Sequence, residues 1–315
     1  MKQKVLLPQD IAKPGRDYLL ERGYELKMGR GISEELIAED VRGCSAIIAR
    51  LGAFGKRVIE AEPGLRVIAR HGAGYDNIDV EAAKQAGIWV TFDPVSNGNA
   101  VAEHCIALLL ACAKNLPVMD RAVRSGNFAV RNQRPTMELS GKVLGIAGFG
   151  RIGRLVAQKA GDGLGMEIAA YDPYVKEAKG ARMTETLEEL LEVSDFVSIH
   201  MPSTEETRGM FGMEQFKRMK GTAWLINAAR GELVKEKELI GALSQGVIAG
   251  AALDVFEKEP PKKDSGLFQL ENVILSPHNA ALTKEAMERM AVTAAKAVDD
   301  VLSGRKPQFV VAEGK

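Results

Sequence analysis

A short apolar run, Val143-Leu-Gly-Ile-Ala147, is followed at once by Gly148-Phe-Gly150-Arg151-Ile152-Gly153. A helical pattern then opens, with Ile152, Leu155 and Val156 on one face. In such a strand, Gly-x-Gly-x-x-Gly, helix sequence each glycine has its own task. Gly148 makes a tight turn, Gly150 lets a pyrophosphate approach the backbone, and Gly153 lets helix and strand pack closely. Arg151 and Ile152 open the helix, whose free N–H groups and positive dipole end face the phosphates. A second strand, Glu167 to Tyr171, ends in Asp172, 19 residues after Gly153. A carboxylate there suits the ribose hydroxyls of a dinucleotide. It also opposes a 2′-phosphate, so the expected cofactor is NAD.

Other polar residues fall in a related pattern. Ligands of open α/β sheets bind beyond the carboxyl ends of the strands. Gly148, Asp172, His200, Arg230, Asp254 and His278 all stand at or just past an apolar run that reads as a strand. The planar fork of Arg230 suits a carboxylate, although a strand-end Arg also serves as a solvated surface charge. His278, in Ser276-Pro277-His278-Asn279-Ala280, titrates near working pH and can give or take a proton; the rival reading is a packed imidazole satisfied by backbone. Asp254-Val-Phe-Glu257-Lys-Glu259 offers a carboxylate that would favour the charged imidazole, and residue types alone leave Glu257 and Glu259 open. Arg70-His71-Gly72-Ala73-Gly74 also follows a strand, but lacks the third glycine and an answering acid. It reads as a turn whose bare amides touch a small ligand.

These residues need a scaffold, and the chain supplies one in strand–helix alternation. Runs at 5–7, 46–49, 67–69 and 88–90 read as strands, with helical patterns at 11–22, 33–42, 56–62 and 79–86. After a polar break at 91–99, one long helical pattern runs from Ala100 to about Arg124, followed by an irregular basic excursion over 125–141. Strands at 143–147, 167–171, 196–200, 224–227, 248–254 and 273–275 then make a six-strand sheet, with helices at 185–192, 213–219 and 235–244. A last amphipathic helix over 284–302 stops at Ser303-Gly304. The fold class is α/β, with two doubly wound parallel-sheet domains.

Composition narrows the function classes. Lys plus Arg and Asp plus Glu both number 42, so no net field recruits nucleic acid or an anionic membrane. No stretch approaches the ~18–20 apolar residues that span a bilayer. Met1 to Pro8 holds too short an apolar run for a signal peptide and reads as a first strand. Cys44, Cys105 and Cys112 show no metal or redox spacing. No metal site is expected, and an odd set of free thiols fits a reducing cytoplasm.

The chain resembles the D-isomer-specific 2-hydroxyacid dehydrogenases. The resemblance runs from about Ala46 to Pro307 and rests on Gly-Tyr-Asp-Asn-Ile-Asp79, Asn97-Gly-Asn-Ala-Val-Ala-Glu103-His104, the glycine loop and the Arg230, Glu259 and His278 segments. It implies Arg230 as substrate anchor, Glu259 as carboxylate partner and His278 as acid/base. It places Asp172 on the ribose, Asp254 near the nicotinamide, and His200, Pro202 and Thr207 among the cofactor contacts. Gly72, Ala73, Gly74 and Asn97 become substrate contacts, and the tail of a substrate held there is expected to point to Arg50, just past the 46–49 strand. The layout implied is a Rossmann NAD domain, 99–282, inserted into a flavodoxin-like substrate domain, 1–98 plus 283–315, with closure about 94–99 and 280–284. A homodimer through the 100–116 helix and the excursion is also implied. Thr136 stands where many relatives carry Gly, and Ala280 where phosphoglycerate dehydrogenases usually have Gly, which tells against that substrate.

The expected activity is hydride transfer between the nicotinamide and a small D-2-hydroxy or 2-keto acid. Hydroxypyruvate or glyoxylate ranks ahead of 3-phosphoglycerate, because Arg50 offers a phosphate only one partner and because little chain follows the last helix. A reading from another class is a non-catalytic NAD(H) sensor, which this fold also accommodates.

Overall fold

The computed structural model describes residues 2–314. The chain forms two compact units, Met1–Asn97 with Ala281–Lys315, and Gly98–Ala280. The breaks fall beside the expected 98/99 and 282/283.

The first unit is built on a six-stranded sheet in the order Val310–Ala312, Trp89–Thr91, Val67–Arg70, Ala46–Ala49, Lys4–Leu7, Glu25–Met28. Five strands run parallel and Val310–Ala312 lies antiparallel on the edge. In chain order the parallel set is 2-1-3-4-5, the flavodoxin-like winding. Ala46–Ala49 is wholly apolar and buried, as a strand covered on both faces must be. The sequence pattern misses Glu25–Met28, whose Glu and Lys put charge on a half-solvated edge strand. It also misses Val310–Ala312, a three-residue strand.

The second unit holds seven parallel strands, ordered Val273–Leu275, Gly250–Leu253, Trp224–Asn227, Phe196–Ile199, Val143–Ala147, Glu167–Tyr171, Arg182–Met183. Counted within the unit this is 3-2-1-4-5-6 with a seventh strand added, so winding reverses between Val143–Ala147 and Phe196–Ile199. The expectation of six strands falls one short. Arg182–Met183 is two residues with no apolar run to betray it. Helix Arg151–Leu164 buries Gly153, Val156, Ala157 and Ala160 and ends at left-handed Gly165.

The single helical pattern expected over 100–124 is two helices, Gly98–Ala113 and Leu116–Arg124, bent by 60°. Asn115 breaks it with a φ of +48°, and Pro117, which has no N–H to continue the first helix, sits in the first turn of the second, where none is needed. No single helix among the described residues is long and apolar enough to cross a membrane. All three cysteines are buried free thiols, and burial pushes Cys105 up to about 12.

Candidate active site

The three glycines of the loop stand in three different surroundings. Gly148 takes a φ of +96°, and a Cβ there would meet the His200 backbone at 2.7 Å. At Gly153 a Cβ would lie 2.3 Å from the Gly148 carbonyl, which fixes how closely helix and strand approach. Gly150 is the opposite case, with nothing within 4 Å of that position. It is also the N-cap of helix Arg151–Leu164 and provides no side-chain cap. Open space beside uncapped helical N–H groups fits a pyrophosphate.

Asp172 extends this fit. Its Oδ2 accepts from the Phe149 N–H at 2.8 Å and its Oδ1 from the Tyr174 N–H at 2.9 Å. Each oxygen keeps capacity for a further donor, as ribose hydroxyls require. The acid is thus pinned to the loop it serves. Across the winding reversal, the His200 N–H donates to the Ala147 carbonyl at 2.7 Å, and its Nε2 pairs with Ser198 Oγ at 2.8 Å. Burial holds this imidazole down to about 4, so it is neutral at ordinary pH. Pro202 and Thr207 belong to one closed turn, in which Thr207 Oγ1 donates to the Pro202 carbonyl at 2.7 Å.

The proposed acid/base group is set up by its neighbours. His278 Nδ1 lies 2.6 Å from Glu259 Oε2. Glu259 Oε1 accepts from the Phe256 N–H at 3.1 Å. Burial pushes the Glu259 carboxyl up, but the hydrogen bond and charge of His278 and the Phe256 amide outweigh it and leave it below its ordinary value. Glu259 is therefore a carboxylate, and Nδ1 carries the hydrogen between them. Glu257, the other candidate, faces elsewhere: its Oε2 accepts from the Glu236 N–H at the start of helix Glu236–Ser244. Geometry decides what residue types left open.

Arg230 sits half-buried in the loop after Trp224–Asn227. Asn227, 1% exposed, shapes that loop by donating from Nδ2 to the Arg230 carbonyl at 2.9 Å and accepting the Ala229 N–H at 3.0 Å. Sequence reading passed over Asn227 as a strand end; its Asx pattern before the Arg was the available signal. Asp254 is wholly buried. Its oxygens accept from Ser276 Oγ at 2.6 Å, the Asn279 N–H at 3.1 Å and the Ala280 N–H at 2.9 Å.

The remaining sequence-selected residues lie in the first unit. Gly72, Ala73 and Gly74 form the turn after Val67–Arg70, with Gly72 at a φ of +135°. Arg70 braces the turn from within, donating to the Gly74 carbonyl and, at 2.8 Å, to the His71 carbonyl. Arg50 donates to the Asp10 carbonyl, and burial lowers its proton affinity. His71 Nε2 and Asn97 Oδ1 are buried without a hydrogen-bond partner. Burial, then the charges of Arg50 and Arg70, press His71 down to about 4.

Residues 106–280 match the model of the D-isomer specific 2-hydroxyacid dehydrogenase NAD-binding domain. The chain is 41% identical to the glyoxylate reductase of Korarchaeum cryptofilum, over 99% of this chain and 96% of that one. This chain belongs to the D-isomer-specific 2-hydroxyacid dehydrogenases. It is also 39% identical to the D-3-phosphoglycerate dehydrogenase of Archaeoglobus fulgidus over 96% of its length, but spans only 58% of that longer protein. Among solved structures, the NADPH-dependent glyoxylate/hydroxypyruvate reductase of Sinorhizobium meliloti, held with NADP and malonate, superposes with a TM-score of 0.90. The two are 29% identical, and the match covers 100% of this dehydrogenase and 99% of that chain.

Proposed function

We propose that this chain is an NAD-dependent reductase of small 2-keto acids to D-2-hydroxy acids, with glyoxylate or hydroxypyruvate ahead of 3-phosphoglycerate. The His278–Glu259 pair at 2.6 Å, in the same unit as the glycine loop and Arg230, carries the proposal. The glycine loop and Asp172 would hold the dinucleotide, which supplies the hydride when bound. His278 gives its Nε2 proton to the keto oxygen as negative charge develops there. Glu259 holds Nδ1, which fixes the ring and stabilises its charged form. Arg230 takes the substrate carboxylate with two charged hydrogen bonds and orients the keto carbon. In the reverse direction neutral His278 removes the hydroxyl proton.

The substrate ranking follows from Arg50. Arg50 brings a phosphate tail one positive charge, and part of its guanidinium donates to the Asp10 carbonyl. Steady-state kinetics on glyoxylate, hydroxypyruvate, pyruvate and oxaloacetate, with 3-phosphoglycerate in the oxidative direction, test this. A far higher kcat/KM for 3-phosphoglycerate, abolished by Arg50→Ala, would reverse the order. NADH binding with no turnover on any of them would make the chain a sensor.

Asp172 sets the cofactor preference. A ribose 2′-phosphate beside this carboxylate costs up to a few kcal/mol in partly screened surroundings. The wild type should favour NADH over NADPH in kcat/KM, and Asp172→Ser should narrow the gap. Equal efficiency with both in the wild type removes the argument.

We further propose a homodimer in a reducing cytoplasm. Leu116 and Val123 of helix Leu116–Arg124 and Phe128 beyond it are 59%, 53% and 64% exposed, apolar side chains that a second copy would cover. Light scattering at micromolar concentration should give twice the chain mass, and Val123→Asp should halve it. A wild-type monomer overturns this assembly.

A further inference from the structure

His278 is one of two non-glycine residues with positive φ among the described residues, at +50°. That conformation is disfavoured for a residue with a Cβ and persists only where its surroundings over-determine it. Four hydrogen bonds from the Ser276–Ala280 turn end on one residue, Asp254, just past the neighbouring strand. The Asp254 carbonyl accepts the His278 N–H at 2.8 Å. Its carboxylate accepts the Asn279 and Ala280 N–H groups and the Ser276 hydroxyl.

One more contact completes the cluster. His104, on helix Gly98–Ala113 and 172 residues from Ser276 in sequence, places Nε2 3.0 Å from Ser276 Oγ and 3.4 Å from Asp254 Oδ1. Burial pushes the Asp254 carboxyl up, but its donors, led by His104 and Ser276, more than offset this and hold it below its ordinary value. It is a carboxylate and has no hydrogen to give. The 2.6 Å contact must therefore use the Ser276 hydroxyl hydrogen. That leaves the Ser276 oxygen able only to accept from His104, whose Nε2 must carry a hydrogen. Directionality thus runs from His104 through Ser276 to Asp254, and from Asp254 to the turn that presents His278.

We infer that His104 is a positioning residue for His278: its Nε2–H locks Ser276 onto Asp254, and so holds the left-handed turn on which the acid/base imidazole stands. Its role in turnover rests on the reading of His278 given above; its role in ordering the turn does not. His104 touches no reacting atom, so its removal should slow turnover without weakening cofactor binding. His104→Leu removes the donor and keeps an apolar side chain on the helix. His104→Gln keeps an amide N–H at similar reach.

The test measures kcat, NADH affinity by fluorescence, and hydrogen–deuterium exchange of residues 276–280 in the cofactor-free protein. His104→Leu should lower kcat by roughly five- to thirtyfold, the rate equivalent of one hydrogen bond in a charged network. It should leave NADH affinity close to wild type and speed exchange at Asn279 and Ala280. His104→Gln should recover most of the turnover and of the protection. Ser276→Ala reads the same link from the other side, should His104→Leu fail to fold, and should speed exchange at the same amides. Unchanged exchange in His104→Leu or Ser276→Ala overturns the inference. Equal losses in His104→Leu and His104→Gln also overturn it, because they would show that His104 acts through volume alone. If the wild type reduces no 2-keto acid, the functional reading fails while the exchange result still decides whether His104 orders the turn.

Discussion

His278→Gln lowers turnover by about 10²–10⁴-fold, the usual weight of a positioned general acid, while NADH affinity stays nearly unchanged. Gln fills a similar volume and keeps a polar group near Glu259, so what is lost is the proton. The pH dependence of Glu259→Gln checks the same pair from the other side. The Glu259 carboxyl lies below its ordinary value through its bond to His278, after burial has pushed the other way, so the pair favours carboxylate with charged imidazole. The sign follows from that preference. Glu259→Gln removes the negative charge that faces the protonated imidazole, and with it the stabilisation of that form. Reduction, which needs that proton, should begin to fail at lower pH. Oxidation, which needs the neutral ring, should begin to rise at lower pH as well. Profiles of kcat/KM against pH in both directions measure the two limbs. Glu257→Gln should leave them in place, since Glu257 caps the Glu236 helix. If Glu257→Gln moves the profiles and Glu259→Gln does not, the assignment of the pair is wrong.

Gly231→Ala should be almost as damaging, by a different route. A Cβ at residue 231 would lie 1.9 Å from the Phe256 carbonyl oxygen and 2.0 Å from its carbon. Both are backbone atoms, so no side chain can swing aside. The close approach ties the Arg230 loop to the segment that carries Glu259, whose Oε1 accepts the Phe256 N–H. Forcing the two apart should cost about 3 kcal/mol or more and lower Tm by roughly 6–12 °C in a unit of this size. It should also reduce kcat/KM beyond the stability loss, because Arg230 moves away from the segment that holds Glu259. A Tm and kcat/KM within error of wild type would show that this backbone yields more easily than its packing indicates.

Sequence carried much of this, and its failures have physical causes. The glycine loop, Asp172, Arg230 and His278 were legible because strand ends of a parallel sheet are where polar residues interrupt apolar runs. The strands that escaped, Glu25–Met28 and Arg182–Met183, lie at sheet edges where water relieves the need for an apolar pattern. The break at Asn115 was hidden inside a continuous helical pattern, because a single left-handed residue leaves no periodic trace. Glu257 and Glu259 differ by two positions and share a type, so only their partners separate them. His104 was beyond reach for the same kind of reason. Its hydrogen bond spans 172 residues, and nothing local in Glu103-His104-Cys105 announces a partner near Ser276.

The first unit draws on both ends of the chain, and this shapes the order in which a nascent polypeptide can fold. Ala291, Ala294, Ala295, Val298 and Val301 of helix Lys284–Leu302 share one core with Val5, Leu7, Ile48 and Val67. Helix Lys13–Glu21 meets the same helix so closely that a Cβ on Gly15 would touch Ala291 at 2.7 Å. Until those last residues leave the ribosome, strands made first keep an apolar face bare. Residues 98–280 wait for nothing beyond themselves. Residues 98–280 can therefore close during synthesis before residues 2–97 meet the helix that covers them.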